Sequence, residues 1–158
     1  METYRERLTW PLWLHGAVVL VWGAAFVGLV LLLLRHGPRI DQAVAAAILL
    51  VVAYVWWRVR HLDVVAGAEA LEFGFGGGRR RVPADRIVSA EPEEYSAVRY
   101  MGWGYRLGWD KGERACSVLG YPRGVRVCFD DERGRRWNVF LSCRSPESVV
   151  QALGRKET

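Results

Sequence analysis

The sequence predicts a membrane α + β protein: a two-helix transmembrane hairpin, then a small antiparallel β domain closed by a C-terminal helix. Two observations lead there. The first 61 residues hold two apolar runs without formal charge, and from Leu62 onward the hydrophobic period shortens to two. A hairpin over 1–61 and a β domain over 62–158 follow.

The first run, Leu8 to Leu34, contains no Asp, Glu, Lys or Arg over 27 residues. A helix needs about 20 residues to cross the hydrocarbon core, so a span over about 9–34 is long enough with tilt. It is too long for the apolar region of a signal peptide, and no small-residue cleavage site precedes Arg35, so it is expected to remain as an anchor. The second run, Gln42 to Trp57, is extended by Ile40 and Val59 to about 30 Å of helix, with Asp41 at its start and Arg58 able to snorkel. Between the runs, "RHGPRID" offers Gly37 and Pro38 as the stop and the restart. So short a turn makes the helices antiparallel, which brings Trp10, Trp13, Tyr54, Trp56 and Trp57 to one interface as an aromatic belt. Ala24 and Gly28, and Ala43 and Ala47, are spaced to let helix backbones approach, within the chain or in a homo-oligomer.

The net charge of +5 is divided. Residues 1–61 carry six bases against three acids, and residues 62–158 carry sixteen against fourteen. The bases Arg5, Arg7, Arg35, Arg39, Arg58 and Arg60 flank the apolar runs, a placement suited to anionic lipid and not to nucleic acid. Arg5, Arg7, Arg58 and Arg60 share one side, so the positive-inside rule places both termini and the following domain in the cytoplasm. Cys116, Cys128 and Cys143 have no C-x-x-C spacing and read as small apolar thiols of a reducing compartment.

In the second part, Leu71, Phe73 and Phe75 alternate with Glu72 on a strand. Gly76 to Gly78 turn the chain into "RRRV", Pro83 interrupts, and a strand restarts near Arg86. Glu91 to Glu94 read as a polar loop. "VRVCF" and "RWNVFL" around "DDERG" are the clearest hairpin, with Val125, Val127 and Phe129 alternating opposite Trp137, Val139 and Leu141. Ser145, Pro146, Glu147 and Gly154 punctuate a final helix with Val149, Val150 and Leu153 on its apolar side. Six or seven short antiparallel strands and one helix are expected.

The residues Arg81-Val82-Pro83, Gly102-Trp103-Gly104-Tyr105-Arg106, Gly124-Val125-Arg126-Val127 and Ser145-Pro146-Glu147 with Ala152-Leu153, placed after a helical hairpin, carry a resemblance. In these the chain resembles bacterial pleckstrin-homology-like membrane proteins, many of them domains of unknown function. The resemblance implies a seven-stranded bent barrel capped by a helix, in a bacterial inner membrane. It implies no ligand, because headgroup binding in relatives of that fold belongs to particular basic loops.

"YMGWGYRLGW", Tyr100 to Trp109, lacks the glycine spacing of a phosphate loop and the basic surround of a base-stacking platform. As a strand it places Met101, Trp103, Tyr105 and Leu107 on a core face, and Tyr100, Gly102, Gly104 and Arg106 on the other. Tyr100 and Arg106 are therefore candidate ligand or partner residues. Arg79, Arg80 and Arg81 follow the triple glycine and, with Arg58 and Arg60, are candidate headgroup ligands, each base adding about 1 kcal/mol at an anionic surface. The alternative is a solvated charged strand paired with Glu91, Glu93 and Glu94. Catalysis has little support. His15, His36 and His61 have no partner at ligand spacing, no G-x-S-x-G elbow exists, and Asp130, Asp131 and Glu132 read as a solvated turn beside arginines. No cofactor or metal is expected.

These observations predict a non-catalytic, membrane-anchored scaffold whose partners are the lipid bilayer and a membrane protein or complex. Two alternatives are a lipid-headgroup sensor using Arg79 to Arg81, and an enzyme subunit whose site is completed by a partner.

Overall fold

A computed structural model describes residues 3–36, 40–108, 110 and 112–154. Gly37, Pro38 and Arg39 of the expected turn, and Trp109, lie outside the described residues. The chain forms two compact units, Trp10–Arg58 and Met1–Thr9 with Val59–Thr158.

The first unit is a helix pair, α1 (Leu12–His36) and α2 (Ile40–Val59). Both are long and apolar enough to cross a membrane. Pro11 starts α1, its carbonyl accepting from the Leu14 amide at 3.0 Å. Among the described residues of the pair only Leu29 and Gln42 are buried, so nearly all the apolar surface is uncovered. The aromatics gather at one end, as expected. Trp10 lies 6.4 Å from Trp56, His15 meets Trp56 edge-on at 5.3 Å, and Tyr54 lies 6.3 Å from Trp57, while Trp13 stays exposed. The small residues do not act as expected within the pair. A Cβ on Gly28 would meet nothing within 4 Å, and Ala24, Ala43 and Ala47 are exposed.

Among its described residues the second unit has nine strands and an α-helix. Four form one antiparallel sheet in sequence order: β1 (Tyr4–Thr9), β2 (His61–Ala66), β3 (Ala70–Phe75) and β4 (Arg80–Pro83). After a 3-10 turn at Ala84–Arg86 come β5 (Ile87–Glu94), β6 (Gly104–Leu107), β7 (Glu113–Ser117), β8 (Arg123–Asp130) and β9 (Arg136–Ser142), ordered β5-β8-β9-β7-β6. Helix α3 (Pro146–Ala152) packs on β5, β8 and β1.

The β8–β9 hairpin has the expected register: Val125 faces Leu141, Val127 faces Val139 and Phe129 faces Trp137. All but half-buried Trp137 are buried. Helix α3 buries Val149, Val150 and Leu153, and Glu147 in its first turn pairs with Arg123 at 2.6 Å. Ser145 precedes it without a side-chain cap, contrary to expectation.

Four expectations are corrected. First, Tyr4–Thr9 is not a charged flank but a strand paired with β2, from Tyr4 opposite Ala66 to Thr9 opposite His61. The chain that leaves the hairpin enters β2 at once, so the helix pair is an insertion between two neighbouring strands. Leu8, Leu62 and Val64 are fully buried, which is the apolar gain that holds β1 in place. Second, Glu91–Glu94 is not a loop but the end of β5, where Glu91 faces Arg126 and Glu94 faces Arg123. Pro92 is tolerated because β5 is an edge strand, where a missing N–H costs no ladder bond. Third, the strands do not close into a barrel among the described residues: they form two sheets, and β7 runs parallel to β9. Fourth, the aromatic stretch is a strand only from Gly104, and the face expected in the core is largely exposed. Tyr100 is buried, while Met101, Tyr105 and Leu107 are 75%, 55% and 63% exposed. Met101, Gly102 and Gly104 have φ of 54°, 110° and 103°, so the chain turns where a strand was expected.

Replacing Leu8 by Ala is expected to destabilise the β unit by about 2–5 kcal/mol, the range for a buried leucine. Denaturant unfolding of the full chain in detergent, followed by β-sheet circular dichroism, measures it. An unchanged midpoint would mean that β1 contributes no core.

Candidate functional site

The arginine triplet is dispersed. Arg79 donates to the Asp63 carboxylate at 2.8 Å, and Arg7 reaches the same carboxylate through Nε at 2.7 Å and Nη2 at 3.3 Å. Asp63 is buried on β2, a place a lone carboxylate would avoid. Burial pushes its pKa up, but the hydrogen bonds from Arg7 and Arg79 outweigh this and hold it at about 2. His61 Nε2 stands 3.9 Å away, its own pKa pushed down, chiefly by burial. Arg81 points to Glu72 at 3.8 Å. Arg80 has no carboxylate among the described residues; its guanidinium covers the Phe129 ring at 4.8 Å and lies 5.7 Å from Trp137. None of the three pairs with Glu91, Glu93 or Glu94; Glu93 takes Arg126 instead. Arg58 lies in the last turn of α2 and Arg60 directly before β2, and both are engaged.

Arg80 and Arg81 line a cleft of about 380 Å³ between β4 and the β8–β9 turn. Arg86, Arg133 and Arg135 complete its basic wall. The carboxylates of the turn are spoken for. Asp131 accepts from Trp137 Nε1 at 3.0 Å, Arg135 Nε at 2.8 Å and the amides of Arg133 and Arg135, and with the Trp137 bond foremost these hold its pKa far below the usual carboxylate range. Asp130 takes Arg136 at 3.1 Å, and Glu132 lies 3.7 Å from Arg86. The guanidiniums of Arg80 and Arg133 remain without carboxylates among the described residues, which leaves the cleft suited to an anion.

Tyr100 and Arg106 are not brought together as expected. Tyr100 stacks on Tyr95, with ring centres 5.4 Å apart, in a core cluster with Ala115 and Phe140. Arg106 is exposed and donates from Nε to the Trp103 carbonyl at 2.9 Å. Tyr95, absent from the sequence reading, anchors the turn: its hydroxyl donates to the Gly102 carbonyl and its ring lies 4.5 Å from Trp103. Arg99 is held by the buried Glu113 carboxylate. With these polar groups pinned, the exposed face of the turn and of β6 is formed by Val98, Met101, Tyr105 and Leu107. Among the described residues strand β6 ends its sheet, paired with β7 alone. Cys116 and Cys143 are buried thiols whose pKa burial pushes up to about 12, outweighing Arg114 beside the first and Arg123 beside the second.

The chain belongs to a family of proteins of unknown function, DUF3093, whose model matches residues 3–153. That match takes in β1 and α3 as well as the helix pair. No curated protein matches the chain, and no solved structure does.

Asp63→Asn is expected to remove about 1–3 kcal/mol at neutral pH, the range for bonds to a buried charged group. The folded pKa of about 2 lies below an unfolded value near 3.9, so this stability is present above about pH 4 and is lost as the pH falls toward 2. Unfolding midpoints of the two chains should therefore converge between pH 5 and pH 2. A constant difference across that window would show that Asp63 does not titrate as argued.

Proposed function

We propose that this protein is a membrane-anchored docking module: the helix pair holds it in a bilayer, and the β unit receives a membrane protein partner along the β6 edge. The observation that carries the reading is that open edge, with Met101, Tyr105 and Leu107 exposed beside unpaired backbone. An uncovered apolar edge strand invites pairing by another chain, and proteins normally blunt such edges with charge, proline or a covering element. Here the opposite edge, β5, carries Pro92 and three glutamates, while the charged residue of β6 is Arg106. An extended partner segment with apolar side chains fits β6 by strand addition.

The helix pair supports the anchor, being uncovered by the rest of its own unit. Only Trp10 and Pro11 separate β1 from α1, and only Arg60 separates α2 from β2. Each residue spans at most about 3.5 Å, so the domain stays at the membrane face. The charge bias supports a cytoplasmic side for that face, and the resemblance to bacterial pleckstrin-homology-like membrane proteins supports an inner membrane. The four-stranded meander, second sheet and terminal helix support a pleckstrin-homology-like lineage; the parallel β7–β9 pair departs from it.

A photo-crosslinking residue at position 107, in the native membrane, is expected to trap one stoichiometric membrane protein, and Tyr105→Lys is expected to reduce that yield by about tenfold. The same probe at exposed Asp85 should trap none. An uncrosslinked monomer at 107, or a yield indifferent to Tyr105→Lys, contradicts the docking edge; a crosslinked second copy of this chain replaces the partner with self-association.

A further inference from the structure

The arginine cleft has a neighbour. A second cavity, of about 280 Å³, opens between β3 of the first sheet and β6, β7 and β9 of the second. Its walls include Phe73, Phe75, Val139 and Cys116, with Tyr105 at one side. Gly74 belongs to the wall because the chain doubles back there: a Cβ on Gly74 would overlap the Gly78 carbonyl oxygen. Two guanidiniums reach this apolar space, those of Arg80 and Arg114, and Arg80 lines both the cavity and the cleft.

We propose that the β unit binds a phosphate-headed amphiphile, its head in the arginine cleft and its single alkyl chain in the adjoining apolar cavity. The two spaces have opposite chemistry and share a residue. The cleft holds five arginines, and its three carboxylates already have partners: Asp131 in the turn itself, Asp130 on Arg136 and Glu132 near Arg86. At the seam, Arg80, Arg114 and Arg135 crowd one ring, lying 5.7, 4.5 and 5.5 Å from the Trp137 centre. Of these three only Arg135 has a carboxylate partner among the described residues. Arg114 is bonded to the Tyr105 hydroxyl, and its buried Nε has no hydrogen-bond partner. Several guanidiniums gathered without equal negative charge repel one another, and a dianion offsets that repulsion. Guanidinium forks match phosphate oxygens in pairs, so a phosphate head suits this wall better than a carboxylate. The cavity wall offers a chain the reverse: aromatic and aliphatic surface, worth about 0.8 kcal/mol per methylene removed from water. Each space alone is near the low end of the roughly 300–1,000 Å³ of small-molecule sites, and together they fall within it. The cavity shares Tyr105 with the β6 edge, but Arg80 and Arg133 lie off that edge, so variants there test this site separately from the docking reading.

The test uses the full chain in phosphatidylcholine nanodiscs and titration calorimetry with decyl phosphate, with empty discs subtracted. One decyl phosphate per chain is expected, bound about 10,000-fold more tightly than inorganic phosphate and about tenfold more tightly than decanoate. From hexyl to decyl phosphate, each methylene should strengthen binding roughly threefold. Arg80→Gln should weaken it about tenfold at an unchanged melting temperature. Arg133→Gln, on the exposed turn, should do the same and serves if the Arg80 variant does not fold. Competition by phosphatidic acid doped into the disc would assign the bilayer as the source of the occupant; no competition would assign a free amphiphile. The proposal is overturned if inorganic phosphate or decanoate binds as tightly as decyl phosphate, if chain length has no effect, or if both arginine variants bind normally.

Discussion

The pairing of Tyr4–Thr9 with His61–Ala66 is the constraint on which the rest of the structure depends. It joins two segments separated by the whole helix pair, so loop closure over more than fifty residues must be offset by what the pairing buries. The offset is visible in Leu8, Leu62 and Val64, none of them reached by solvent, and in the bond between Arg7 and Asp63. Once the pair forms, the two ends of the helical segment are fixed at Thr9 and His61, opposite one another in the register. The apolar hairpin is then an excursion from a sheet edge, not a leader followed by a domain.

The same strand pair sorts the charges. Asp63 draws Arg7 and Arg79 to itself, Glu72 draws Arg81, and Asp131 draws Arg135. Five arginines line the cleft, yet the turn's carboxylates are occupied there by structural bonds. The cleft thus keeps an excess of arginine over carboxylate in a domain whose total charge is close to balance. Local sorting, not the formal sum, gives the β unit its electrostatic character.

Some elements were legible because local pattern and global fold agree. The helices announced themselves through length and lack of charge, and the β8–β9 hairpin through strict alternation around a turn with few alternatives. Strand β1 was not legible. "YRERLT" shows one buried apolar residue, sits against a long apolar run, and finds its partner far along the chain, so its arginines read as membrane flanks. Glu91–Glu94 looked like a loop because a proline and three glutamates are poor strand formers; only its position at a sheet edge makes the strand possible. The aromatic stretch misled for a geometric reason. Period-two reading assumes an extended backbone, and positive φ at Met101 and Gly102 breaks the alternation before it begins. The candidate site was half legible: Arg80 and Arg81 were singled out, but the part of Trp137 in gathering guanidiniums depends on how two sheets meet, which no local pattern records.

Amide hydrogen exchange of the full chain in nanodiscs tests the β1–β2 pairing most directly. The amides of residues 4–9 that bond to β2, alternate ones because β1 is at the edge of its sheet, are expected to exchange as slowly as those of 61–66 and 71–75, because all belong to one hydrogen-bonded sheet. Complete exchange of residues 4–9 within seconds, beside slow exchange of 71–75, would contradict it: the N-terminus would then be a free tail, and the helix pair a leader to a domain that folds without it.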